Sequence, residues 1–227
     1  MNIQKRLLLG SQSQGRQWTL ELVKIPYSVK TAEINEINPG EEEKISDLKA
    51  CEIVIENSKR KHLKILENLT DFEKKAFLGL ITLDTIVRLP NGFSTGKAHD
   101  RDTAKTVLKK LRGKKHFVIT GFSFSSFNNF EYNKGIISDY AITEVEFTNF
   151  SDILLESYLD KRDFMGRAGA YAIQSLGALF VKSITGDFYN VVGFPVIAFM
   201  NCLEKHFSDI YEELINNLAA KDSISIT

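Results

Sequence analysis

The chain has 227 residues, 29 basic and 29 acidic, with 43% hydrophobic and 26% charged residues. These are proportions of a folded domain, and they exclude wholesale disorder. The cancelling charge argues against a nucleic acid polymer as partner while leaving room for a local cationic pocket. Cys51 and Cys202 have neither metal-ligand spacing nor the numbers of a disulfide framework.

Arg6 to Gly10 reads as a buried strand, and Gly10 to Ser13 as a tight turn into a helix carrying Trp18, Leu20, Leu22 and Val23, which Pro26 ends. Tyr27 to Ala32 alternates as a second strand. After the turn at Pro39-Gly40, Glu41-Glu42-Glu43 suits the positive end of a helix running to about Ile55. The charged stretch from Asn57 to Lys75 reads as a surface connection with one short helix, opened by the capping box Thr70-Asp71-Phe72-Glu73. Lys59-Arg60-Lys61 and the stripe Lys105, Lys109, Arg112 read as solvated faces.

Phe77 to Leu89 is the clearest strand, closed by a hairpin turn at Asn91-Gly92. Asp100 is positioned to cap a helix with the apolar stripe Ala104, Val107, Leu108 and Leu111, and Gly113 stops it. His116 to Phe124 and Ile142 to Phe147 are strands, with a turn at Asn128-Asn129; the phenylalanines from Phe122 to Phe130 serve core or dimer packing. Ser151 to Leu159 is helical, Phe180 to Ile184 a strand, and Phe194 to Phe207 and Asp209 to Ala220 are helices. The expectation is an α/β domain over residues 1–220, with a mixed twisted sheet flanked by helices and two lobes around a central cleft, and a frayed tail over 221–227. The apolar run from Val191 to Met200 is broken by Gly193 and Pro195 and too short to span a membrane, and Leu7-Leu8-Leu9 is too short for a secretory segment. A cytoplasmic protein with no membrane partner is expected.

Read without reference to any family, two groups of residues offer chemistry. In Ser11-Gln12-Ser13-Gln14-Gly15-Arg16, a strand runs into a helix whose first N–H groups lack partners, where an anion can sit; two hydroxyls and an arginine flank it. Read alone, the pattern favours Ser13 as a helix cap and Arg16 as a solvated surface charge. Asp84 interrupts an otherwise apolar strand. Its carboxylate either meets a cation, a donor or a metal, or marks where the strand leaves the core. His116 reads as a structural histidine.

Taken in order, these blocks resemble the Maf family of nucleotide pyrophosphatases. Ser11, Ser13 and Arg16 match its Ser-x-Ser-Pro-Arg-Arg opening, with Gln14 for proline and Gly15 for the first arginine. Asn35-Glu36 stands at its acidic pair, and Ile45-Ser46-Asp47-Leu48-Lys49-Ala50 is similar to its Leu-Ala-x-x-Lys-Ala helix. Asp84-Thr85-Ile86-Val87, then Gly96-Lys97-Ala98-His99-Asp100, follow its Asp-Thr-Val-Val and Gly-Lys-Pro-x-Asp. Gly113-x-x-His116-x-Val118-x-Thr120-Gly121 keeps a further block. So do Gly166-Arg167-Ala168-Gly169-Ala170-Tyr171-Ala172-Ile173-Gln174 and the run from Gly186 to Pro195, in register from about Leu7 to Leu203. The retained Ile173-Gln174 is like the branch acting on dTTP and UTP.

The resemblance implies a Maf/inosine triphosphatase-like fold and hydrolysis of a nucleoside triphosphate between its α- and β-phosphates. It implies Mg²⁺ or Mn²⁺ held by Glu36 and Asp84, with catalysis by Asp84, Glu36, Lys49 and Lys97 and substrate binding by Ser11, Ser13, Arg16 and Gln174. A homodimer is expected. The alternatives are a nucleotide-binding regulator of cell division without efficient turnover, since the family is linked to restraint of septum formation, and a plain interaction domain.

Overall fold

The computed structural model describes residues 5–39, 43–127 and 135–222, with side chains to residue 218. The turn expected at Asn128-Asn129, the start of the acidic run at Glu41-Glu42 and the end of the tail lie outside the described residues. The sheet has the order β2-β1-β3-β5-β6-β7, formed by Tyr27–Val29, Arg6–Leu9, Phe77–Arg88, Lys115–Ser126, Ile137–Phe147 and Val181–Thr185. A two-residue strand, β4 (Ser94–Thr95), pairs with β3 alone. β1 runs parallel to β2 and β3; β3, β5, β6 and β7 are successively antiparallel. The mixed sheet is as expected. Strand β2 ends at Val29 rather than Ala32, and β6 begins at Ile137 rather than Ile142.

Alternation along β3 divides the core between two faces. Ile81 and Leu83 join Leu7, Leu9, Phe122 and Phe124 beneath helices α1 (Gln14–Leu22), α7 (Val196–His206) and α8 (Ser208–Asp222). On the opposite face, Leu80 and Ile86 pack with Leu8 and Ile119 under α2 (Asp47–Glu67). A third cluster beneath α4 (Arg101–Leu111) and α5 (Asp152–Asp160) holds the expected stripe Ala104, Val107, Leu108 and Leu111. Asp100 caps α4 through Thr103 N–H at 2.8 Å, and the Thr70–Glu73 capping box opens the short α3 (Asp71–Lys74). The remaining helix, α6, is Phe188–Val192. Among the described residues, no helix is long and apolar enough to cross a membrane.

The main departure from expectation is α2. It starts at Asp47, capped by Ser46, and runs to Glu67 instead of ending near Ile55. Most of the segment read as a surface connection is therefore its second half, and Asn57, Ser58 and His62 there are buried. Polar residues in that position need partners. Ser58 Oγ meets Ser123 Oγ at 2.7 Å, and Thr82 donates to Ser58 O at 2.8 Å. Thr82 has thus spent its hydrogen, so His62 Nδ1–H donates to Thr82 Oγ1 (3.2 Å) and Nε2 accepts from Ser125 (2.8 Å). The network replaces methyl groups that an ordinary buried stripe would carry.

Candidate active site

One edge of β3 is bonded to β5 from Gly79 to Arg88. The other edge is divided, with β1 reaching Ile81 and β4 beginning at Val87. Between them, Thr82 to Ile86 faces no strand among the described residues, and there the chain leaves β1 for α1. A cavity of about 720 Å³ opens in this gap. Its walls include Ser11, Ser13 and Arg16 at the start of α1, Glu36 after β2, Lys61 of α2, Thr85 of β3, and Lys97 and Gln174.

Asp84 is 4% exposed, on the face of β3 that α2 covers, and meets the cavity only through Lys61. Its cross-strand neighbour is Gly121. A Cβ there would stand 2.7 Å from Val54 C and 2.8 Å from Ile55 N, so only glycine lets the α2 backbone settle this closely on β5. That approach brings the next turns of α2 onto the carboxylate. Asn57 Nδ2 donates to Oδ2 at 2.9 Å, and Lys61 Nζ reaches Oδ1 at 2.7 Å.

Lys61 also meets Glu36 Oε1 at 2.7 Å, and Lys97 meets Glu36 Oε2 at 3.2 Å. The order Asp84–Lys61–Glu36–Lys97 is a chain of alternating charges running from the buried strand to the cavity wall. Burial alone would raise the Glu36 carboxyl, but hydrogen bonds and charge from Lys61 and Lys97 outweigh it and leave the group below its ordinary pKa. Lys97 is held in place by a bridge to Ala168, so the Gly96-Lys97 and Ala168-Gly169 motifs are joined in space.

Ser11 Oγ accepts from Ser13 N–H (3.2 Å) and Arg16 Nη1 (2.8 Å), which leaves its O–H as a donor beside the cavity. Ser13 occupies the cap position of α1, yet its side chain makes no cap bond. Arg16 is committed mainly to protein. It donates through Nε to Gly193 O, through Nη1 to Leu83 O and Ser11, and through Nη2 to Thr85. One N–H of five remains, so its main work is to tie α1, β3 and the α6–α7 turn together. Burial pulls the Arg16 pKa below its ordinary value, and Asp84 and Glu36 oppose that pull. Gly15 is sealed in: a Cβ would stand 2.7 Å from Val192 O and 3.2 Å from Gln174 Nε2.

Six of the expected site residues, Ser11, Ser13, Arg16, Glu36, Lys97 and Gln174, therefore surround one cavity, and Asp84 stands behind its wall, joined to it through Lys61. Lys49 does not. It is exposed in the first turn of α2 and pairs with Glu52 at 3.3 Å, on the solvent side. The helix lysine that enters the cavity is Lys61, read from sequence as solvated surface; its side chain is only 12% exposed. A signal for it existed. Ala50, Val54, Asn57, Ser58, Lys61, His62 and Ile65 recur at helical spacing, but the polar members disguise the stripe. Lys105 pairs with Glu156 of α5 near the surface, whereas Arg112 is largely buried, stacked 4.7 Å over the Phe150 ring and paired with Asp152. His116 is buried against Tyr171 OH (2.9 Å) and does not itself line the cavity.

A sheet edge opened over paired carboxylates and lysines, beside a helix N-terminus, defines a phosphate-handling α/β protein. The chain matches the family described as Maf-like protein over residues 6–206, and it belongs to that family. A relative from Pyrococcus furiosus named dTTP/UTP pyrophosphatase is 34% identical over 205 residues, covering 88% of this chain and 95% of the relative. One of the same name from Bacillus velezensis is 36% identical over 207 residues, covering 88% and 96%. A human relative named probable bifunctional dTTP/UTP pyrophosphatase/methyltransferase protein is 31% identical over 224 residues, which are 98% of this chain and 35% of that longer protein.

Proposed function

We infer that the protein is a nucleoside triphosphate pyrophosphatase that cleaves dTTP, UTP or related modified nucleotides to monophosphate and pyrophosphate. The alternating Asp84–Lys61–Glu36–Lys97 chain, which enters the cavity wall at Lys61, carries this reading. A triphosphate brings concentrated negative charge. Lys61 and Lys97 are fixed to receive it, and preorganised cations supply much of the rate in phosphoryl chemistry. The Ser11 hydroxyl and the first turn of α1 donate to phosphate oxygens. Gln174, with both a donor and an acceptor, faces the base or ribose.

Asp84, held by hydrogen bonds from Lys61 and Asn57, takes the proton of the attacking water. Glu36, the more exposed of the two carboxylates, faces the substrate's companion ion. Among the described residues no group of three or more His, Cys, Asp and Glu forms a ready cage. Two carboxylates beside a polyphosphate site fit Mg²⁺ or Mn²⁺, which take few protein ligands and fill the rest with water and phosphate oxygens. Glu36 and Asp84 would hold that ion, and when bound it neutralises phosphate charge.

Pyrophosphate release from a panel of normal and modified triphosphates tests the reading, with Asp84→Asn as control. Turnover should fall at least about a hundredfold in the variant with folding intact. Near-normal release from Asp84→Asn rejects its role; calorimetric binding of UTP without release by the natural chain favours the regulatory alternative. The same reading makes the protein a cytoplasmic homodimer, which light scattering and cell fractionation would check.

A further inference from the structure

Asn57 sits in the middle of α2 and is 1% exposed. A carboxamide there is costly unless each polar atom is matched. Each one is. Oδ1 accepts from Ile37 N–H at 2.8 Å, while Nδ2 donates to Ile37 O at 2.9 Å and to Asp84 Oδ2 at 2.9 Å. The two bonds to Ile37 are those a neighbouring strand would offer its backbone. They hold in place a segment that has no regular secondary structure, immediately after Glu36.

We propose that Asn57 is a positioning residue that locks Glu36 and Asp84 into one unit. This rests on the pyrophosphatase reading above. The carboxylates come from different elements, a loop and a strand, and Lys61 bridges them with a flexible side chain. Asn57 is the second and stiffer bridge: its short side chain leaves a helix backbone that Gly121 allows to lie close against β5. One carboxamide thereby fixes which Asp84 oxygen is turned to Lys61 and where the Glu36 loop stands. It bonds to Asp84 and to the backbone beside Glu36, and it does not line the cavity.

The test compares the natural chain with Asn57→Ala and Asn57→Asp, the second keeping the volume and the bond to Ile37 N–H while removing both donors. UTP turnover is measured alongside thermal melts and amide hydrogen exchange. Both variants should lose kcat by about 10- to 100-fold with KM for UTP changed by less than about threefold. Exchange at the Ile37 amide should quicken in Asn57→Ala while the rest of α2 stays protected. A variant that melts below the assay temperature is replaced by Asn57→Ser. The inference is overturned if kcat falls only in proportion to the folded fraction, if KM rises as much as kcat falls, or if Ile37 exchange is unchanged. An inactive natural chain overturns the activity reading itself; an active one indifferent to Asn57 overturns this inference alone.

Discussion

Lys61 Nζ stands 2.7 Å from Asp84 Oδ1 and equally close to Glu36 Oε1, so one ammonium serves two carboxylates brought from different elements. Replacing it by methionine keeps the volume and leaves the buried Asp84 charge without its cation. Removing one partner of such a pair costs about 3 kcal/mol or more. Urea titration of Lys61→Met should show that loss, together with collapse of pyrophosphate release. Lys49→Ala should match the natural chain in both measurements.

Gly15 should tolerate no side chain. An alanine Cβ would meet the Val192 carbonyl oxygen at 2.7 Å, and backbone cannot rotate away as a long side chain can. Gly15→Ala should cost about 1–3 kcal/mol in urea and also weaken UTP binding, because Gln174 is its other neighbour.

Arg16 makes four donations in one plane, to Gly193, Ser11, Leu83 and Thr85. Lysine offers a point charge and cannot reproduce that fork. Arg16→Lys should therefore lose about 2 kcal/mol or more of stability by urea titration. Equal stability would show that the guanidinium is not the tie between α1 and β3.

His62 and His116 give the fold a dependence on acid. Burial holds both imidazoles neutral, with pKa values pulled from 6.5 down to about 4. Unfolded chains bind those protons near the ordinary value. Each contribution is therefore complete above pH 6.5 and is lost as pH falls towards 4. The slope is up to about 1.4 kcal/mol per pH unit for each histidine. Urea titrations across that interval should show the decline, and His62→Gln should flatten it.

The strands, the mixed sheet and the caps at Asp100 and Thr70 follow from local residue patterns, and that part of the fold was legible for that reason. The Asp84 strand was legible too, since a carboxylate in an apolar run demands a partner. The partner itself was not. A lysine inside Lys59-Arg60-Lys61 looks like solvent-facing charge, and only the close approach allowed by Gly121 turns Lys61 inward while Lys59 and Arg60 stay outside. The partners of Arg16 were hidden for a related reason: two of its four acceptors are backbone oxygens of Leu83 and Gly193, which carry no side-chain identity to read.

The cleft is a vacancy between two short strands, β1 and β4, along an edge of β3 whose far side is stitched to β5 throughout. Its length is thus measured in strand residues. Extending β1 past Leu9 or starting β4 earlier would fill the vacancy with backbone, whereas shortening either would lengthen the trough. Selectivity for larger or smaller substrates can then be engineered at two strand ends, with the carboxylates and lysines left untouched.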